Sequence, residues 1–368
     1  MKRPIPLILF ILIFFSGQHA FATSYEAILL GDLGDNYSQV YSGINNSGDV
    51  VGQSDTASGN THAFYYDGYN MTDIKPSGGS YISARGINDA GQIVGIEEGY
   101  AFLYDPISST PWSVLTSAEG SAHAINKSGN VVGRDGSKAF FYDGTMHDIG
   151  DLGGGSSLAY DVNDSNVVVG YSSTGSATHA FLYNANAAAP VMIDIGSSLG
   201  NYNQANSINN DGYVVGDYIT TAFSNMAALY DGSEWTSLGA LSDLGGGLSA
   251  YTNSSARGIN DNEYVVGFSY DTSLNRLATL WYGGSIYNLN DLIVGWVGLE
   301  ALGLAEIPSI TLIEAWDINS SGQIAANAFI GDNHYAFLIN PVPEPSTMLL
   351  LIPGVVGLIS ARKRFRKA

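Results

Sequence analysis

The stretch Ser42-Gly43-Ile44-Asn45-Asn46-Ser47-Gly48-Asp49-Val50-Val51-Gly52 decides the architecture, because the chain repeats its pattern seven times. Its first asparagine, Asn45, returns as Asn88, Asn126, Asn163, Asn209, Asn260 and Asn319, at spacings of 43, 38, 37, 46, 51 and 59 residues. Self-similarity at such a period marks stacked or radially repeated units. Within each unit, Asn at the first position and Gly at the fourth of Asn-x-x-Gly suit a type I turn closed by a left-handed residue, which makes a short β-hairpin. Gly48, Gly91, Gly129, Gly212 and Gly322 fill the fourth position, and Asn166 of the fourth unit tolerates the same backbone. Glu263 of the sixth does not, which predicts a different loop there.

Outward from each turn runs a short β-branched segment such as Val50-Val51-Gly52, Ile93-Val94-Gly95 or Val265-Val266-Gly267, with the composition of a buried strand. The last unit departs, with Ile324-Ala325-Ala326. An aromatic phrase follows, His62-Ala63-Phe64-Tyr65-Tyr66 in the first unit and His179-Ala180-Phe181-Leu182-Tyr183 in the fourth. A third piece comes after it, as in Met71-Thr72-Asp73-Ile74 and Met146-His147-Asp148-Ile149. With the segment before each asparagine, every unit holds four strands in about 40 residues, the size of a propeller blade. The expected fold is therefore all-β, a seven-bladed β-propeller, the alternative being an open β-solenoid. The seventh unit runs out at Pro341 without its fourth strand. Tyr25-Glu26-Ala27-Ile28-Leu29-Leu30 is placed to supply it and close the ring, removing exposed sheet edges.

Composition agrees with this reading. Of 368 residues, 45 are glycine, none is cysteine and 13% are charged, about half the ~25% charge of an ordinary soluble domain. The absence of cysteine excludes a disulfide scaffold, a thiolate metal site and a cysteine nucleophile. Both chain ends carry only positive charge, two residues at the front and five at the back, leaving seven Lys+Arg against 34 Asp+Glu, a net of −27 for residues 23–345. Nucleic acid and anionic lipid would be repelled by such a body, so neither is an expected partner.

The ends read as addresses. Residues 1–22 have the order of a secretory signal: Lys2 and Arg3, an apolar run from Leu7 to Phe15, and Ala20-Phe21-Ala22 as a small-x-small cleavage site. At the other end, residues 342–368 contain Pro343-Glu344-Pro345-Ser346, an apolar run from Met348 to Ile359, and the basic cluster opening Arg362-Lys363-Arg364. That apolar run, interrupted by Pro353, is short of the ~20 residues that span a bilayer as helix. The three parts resemble a PEP-CTERM sorting tail, the substrate signal of exosortase proteases in Gram-negative, exopolysaccharide-producing bacteria. The resemblance implies passage through the Sec export machinery, transient anchoring in the inner membrane by the tail alone, processing by an exosortase, and delivery to the cell surface or extracellular matrix. Between the ends, in residues 23–341, the phrases Ile-Asn-x-x-Gly-x-Val-Val-Gly and His-Ala-Phe-x-Tyr resemble the extracellular HAF-repeat family, which implies no reaction and supplies no catalytic residues.

Candidate chemistry is sparse. His62, His179 and His334 begin or adjoin aromatic strands in units one, four and seven, where a ring would hold them apart, so a structural role is expected. His147 and Asp148 are strand neighbours on opposite faces, and His123 stands alone. The acidic loops at Asp32, Asp151 and Asp243 offer oxygen ligands for calcium, although none has the D-x-D-x-D-G order of a calcium loop, and no other cofactor or metal set is indicated. Glu97, Glu98 and Glu119 are available as glycosidase carboxylates. The segment from Leu292 to Ala315, with Trp296 and Glu300, reads as a loop insertion. The expected function is a non-catalytic surface or matrix protein, a binding or structural component associated with exopolysaccharide, with exopolysaccharide or a surface protein as partner; the alternatives are a carbohydrate-active enzyme and a calcium-dependent adhesive module.

Overall fold

The computed structural model describes residues 24–75, 79–245, 253–303 and 309–343. Ser24–Pro343 forms one compact unit. Among the described residues seven sheets follow one another along the chain, six antiparallel ones of four strands and one mixed sheet of five, as the seven repeated phrases predict. Blade 1 runs through Gly34–Gln39, Val50–Thr56, Thr61–Tyr66 and Met71–Asp73. The innermost strands of blades 2 to 7 are Ile82–Ile87, Gly120–Ile125, Ser157–Val162, Asn203–Ile208, Ser254–Ile259 and Ile310–Ile318. Each asparagine turn joins a blade's first strand to its second.

The core lies between blades. Val51 and Ala63 of blade 1 pack on Ile82, Ala84 and Phe102 of blade 2, and Ala325, Ala336 and Leu338 of blade 7 on Val50, Phe64 and Tyr66 of blade 1. The phenylalanine of the aromatic phrase is the largest contributor, with Phe64, Phe102, Phe140, Phe181 and Phe337 all at most 1% exposed.

Ring closure follows the expected route and adds a strand to it. Tyr25–Leu29 pairs antiparallel with Asn333–Pro341, from Tyr25 opposite Pro341 to Leu29 opposite Phe337. On its other side, Ile293–Val297 pairs parallel with it as a fifth strand. The segment read as a loop insertion thus carries secondary structure: after a helical turn Leu289–Leu292 capped by Asn288 come this strand, a 3₁₀ turn Leu299–Leu302 and the start of the strand Ile310–Ile318. Trp296 lies edge-on to Phe337 at 5.6 Å, which makes it a packing residue.

The sixth turn corrects a second expectation. Glu263 adopts φ 60°, the same left-handed state as Asn166. The Asn260 side chain holds it there, accepting from the amides of Asn262 and Tyr264 at 3.0 Å each. Two hydrogen bonds at a buried asparagine outweigh the ~1–2 kcal/mol that a left-handed L-residue costs.

Candidate functional site

The seven asparagines form a closed ring. Each Nδ2 donates to the main-chain oxygen of the next blade's asparagine: Asn45 to Asn88, Asn88 to Asn126, Asn126 to Asn163, Asn163 to Asn209, Asn209 to Asn260, Asn260 to Asn319, and Asn319 back to Asn45, at 2.9–3.3 Å. Each Oδ1 meanwhile accepts from its own turn, as Asn126 does from Ser128 and Asn130. The residues predicted as turn formers therefore also clasp blade to blade.

Three positions before each asparagine, the innermost strand carries a bulge. In blade 2, Ala84 pairs with Gly95 and Gly86 with Val94, leaving Arg85 without a cross-strand partner. The same shift falls on His123, Tyr160, Asn206, Arg257 and Trp316. In blade 1 the strand breaks from regular pairing after Gln39 and rejoins at Ile44, across Tyr41 and Ser42. A bulge re-aims a side chain. Here it turns one residue per blade towards the axis, where Ser42, Arg85, His123, Tyr160, Asn206, Arg257 and Trp316, with Tyr41 added from blade 1, line a cavity of about 250 Å³. A second compartment, of about 200 Å³, is lined by the asparagine turns and by the aliphatic residue preceding each, from Ile44 to Ile318.

The cavity wall is aromatic and cationic. Arg85 lies over the Tyr41 ring at 5.7 Å, with Nη1 3.0 Å from His123 Nε2. Burial, reinforced by the charges of Arg85 and Arg134, lowers the His123 pKa well below the ordinary imidazole range, so the ring is neutral. Tyr160 meets His123 edge-on at 5.3 Å, and burial pushes its phenol up to about 12. Arg257 lies 4.9 Å from the Trp316 ring and shares Glu314 with Arg276, at 3.3 and 2.6 Å. Asn206 donates to Asp217 and to the Ala256 carbonyl.

Other predicted residues do not reach this cavity. His62 and His179 bond Asp73 and Asp194 on their outer strands at 2.6 and 2.8 Å, and His334 bonds the Ser38 carbonyl at 3.1 Å, the structural roles expected of them. His147 pairs with Asp143 at 3.0 Å, not with Asp148. Asp32 and Asp151 cap their loops through Gly34 and Gly153, and Asp243 takes the amide of Ala240. Glu97 pairs with Lys75 and Trp112, and Glu98 accepts from Ser80 and Tyr81, away from the axis. His123, which the sequence shows as solitary, is in the cavity wall. Ala20, Ala22, Glu344, Pro345, Ser346, Arg362, Lys363 and Arg364 lie outside the described residues. Among the described residues no helix is long and apolar enough to cross a membrane.

The fold and site together define a seven-bladed propeller with a mixed aromatic and arginine cavity on its axis. No family model and no curated protein matches the chain. Among solved structures it is similar to TolB from Acinetobacter baumannii, with 13% identity over 66% of this chain and 61% of that one, TM-score 0.42. It is similar also to the SapL1 lectin in complex with alpha methyl fucoside, with 13% identity over 84% and 97%, TM-score 0.37. A third is Trypanosoma rangeli sialidase, with 10% identity over 92% and 60%, TM-score 0.40. The chain thus spans about three fifths of TolB and of the sialidase. At these identities, what those proteins bind does not transfer to this chain.

Proposed function

We propose that the protein is an exported, glycan-binding component of the cell surface or extracellular matrix, and that the axial cavity is its binding site. The observation that carries this is the contrast between frame and lining. The turn asparagine is the same in all seven blades, whereas the bulge position holds serine, arginine, histidine, tyrosine, asparagine, arginine and tryptophan. A purely structural channel has no need of six kinds of polar and aromatic side chain at seven equivalent positions. A saccharide is recognised by such a set: aromatic faces for its C–H surfaces and a few convergent donors for its hydroxyls. Export rests on the leader ending at Ala20-Phe21-Ala22 and on the Pro343-Glu344-Pro345 tail that resembles exosortase substrates. No carboxylate is among the cavity-lining residues, so retention is favoured over hydrolysis by an acid–base pair.

The test is retention of the full chain, purified from its own cells, on that strain's exopolysaccharide, with release of reducing ends followed in parallel. Retention that falls at least ten-fold in Tyr160→Ala, without release, is the expected result. Release of reducing ends, or retention indifferent to Tyr160, would overturn the assignment.

A further inference from the structure

The distribution of cationic side chains is the least random feature of this molecule. The described residues contain four arginines and three lysines in a strongly acidic body. Lys75 and Lys138 are used in pairs with Glu97 and Asp151, and Lys127 lines the opposite compartment. Two of the four arginines line the axial cavity, and the other two stand next to residues of its wall. Arg85 and Arg257 line it from blades 2 and 6. Arg134 lies near enough to His123 to act on its titration, and Arg276 is joined to Arg257 through Glu314. Glu314 sits between Arg257 and Arg276, and Asp217 accepts from Asn206. Asp161 and Asp317, one residue beyond the bulges, are buried and accept main-chain hydrogen bonds from Ile208 and Ile44 of the following blades.

The lining offers two guanidinium groups as charged donors, beside hydroxyls that both donate and accept. Two wall residues hold a buried N–H without a hydrogen-bond partner, Arg85 at Nε and Trp316 at Nε1. Both atoms are shielded from the cavity, which leaves the guanidinium ends of Arg85 and Arg257, two residues of the lining, as its charged donors. Arginine's fork matches a planar carboxylate, and the Tyr41, Tyr160 and Trp316 faces match a pyranose ring.

Resting on the glycan-binding reading, we propose that the axial cavity selects an acidic sugar, a single hexuronate residue, whose carboxylate is taken by Arg85 and Arg257 while its ring lies against the aromatic wall. The volume of about 250 Å³ is enough for one sugar ring.

The probes are methyl β-D-glucuronide and methyl β-D-glucoside, which differ only at C6, titrated calorimetrically into the full chain at low ionic strength. The expected result is a glucuronide affinity at least ten-fold above that of the glucoside, a preference that falls to near unity in Arg85→Gln. Equal affinity for the two probes in the unmutated protein would overturn the acidic-sugar proposal while leaving glycan binding intact, and this comparison needs no variant to fold. Competition by inorganic sulfate as effective as the glucuronide would overturn it as well, reducing the site to one for bare anions. Failure of both sugars together with failure to retain exopolysaccharide would take down the glycan-binding reading too.

Discussion

Each turn asparagine does what no other side chain can do at once: its Oδ1 satisfies amides of its own turn while its Nδ2 crosses to the next blade. Aspartate would keep the first function and lose the second, placing a carboxylate against a buried carbonyl. Asn126, 4% exposed, is the position at which to ask. Asn126→Asp should lower stability by about 2–3 kcal/mol, the cost of leaving a buried acceptor unpaired beside a charge, read from the midpoint of chemical unfolding. A midpoint unchanged from the unmutated chain would mean that the ring contributes nothing to cohesion. Glu263 gives the opposite case. Its φ of 60° is strained for any residue with a side chain, so Glu263→Gly should stabilise by about 1 kcal/mol, against the usual direction of glycine substitutions. Asp317 adds a pH dependence. Burial first, and the Asp161 carboxylate second, raise its pKa to about 7. A raised acid binds its proton more tightly in the folded state than in the unfolded one, where its pKa is about 3.9. Its stabilising contribution is therefore complete below pH ~4 and lost as pH climbs to about 7. Asp317→Asn retains an acceptor for the Ile318 amide but does not titrate. Its stability relative to the unmutated chain should grow between pH 4 and pH 8 by a few kcal/mol; a constant difference across that range would refute the assignment. The asparagines were legible in the sequence as turn formers because a turn is local. Their role as clasps was not, since it pairs residues 37 to 59 positions apart around a circle and, at its closure, residues 274 apart.

At the scale of the strand, the glycine of Val-Val-Gly finds its reason in the bulge opposite. A Cβ built on Gly95, Gly133, Gly170, Gly216 or Gly267 would collide with the carbonyl oxygen two residues before the bulged side chain, at Ser83, Ser121, Leu158, Gln204 or Ser255. The bulge presses the first strand down on the second, and only glycine leaves room. Blade 7 shows the converse. Its first strand shifts register twice, between Leu312 and Glu314 and between Ala315 and Asp317, and Ala326 occupies the glycine position. Gly133→Ala should thus cost about 1–3 kcal/mol, as overpacking does, with His123 displaced from the cavity wall. A variant as stable as the parent would break the link between motif and bulge. Comparing the repeats reveals Val-Val-Gly because it is constant and passes over the bulge residues because they differ. Yet that difference was the available signal. The column three before each asparagine is the one that runs through Arg85, His123, Tyr160, Asn206, Arg257 and Trp316, and read down the units it marks the site. His123 seemed solitary only because its neighbour Arg85 is one blade away. The strand Ile293–Val297 stayed hidden for another reason: it belongs to no repeat, and it is ordered only by the edge that Tyr25–Leu29 offers.

On the scale of the whole molecule, a ring of blades is as stable as its closure. Blade 7 takes three strands from the end of the repeat array and the next from residues 25–29, so the first and last strands of the body share one sheet. Tyr25, Ala27, Leu29 and Leu30 are all at most 6% exposed, and Leu30 donates from its amide to the Ala336 carbonyl. Removing residues 25–30 strips several large buried side chains, worth about 1.5–3 kcal/mol each. It also unpairs two strand edges at once, Asn333–Pro341 on one side and Ile293–Val297 on the other. Because the asparagine ring joins every blade to the next, the loss cannot stay in blade 7. Once its sheet frays, the bonds from Asn260 to Asn319 and from Asn319 to Asn45 have no rigid base. The expected outcome is a single cooperative transition whose midpoint falls by on the order of 10 °C, accompanied by loss of glycan retention, since the cavity takes one wall residue from each blade. A separate, low-temperature melting step of blade 7 alone, with the main transition and retention unchanged, would show instead that the propeller is a chain of independent blades.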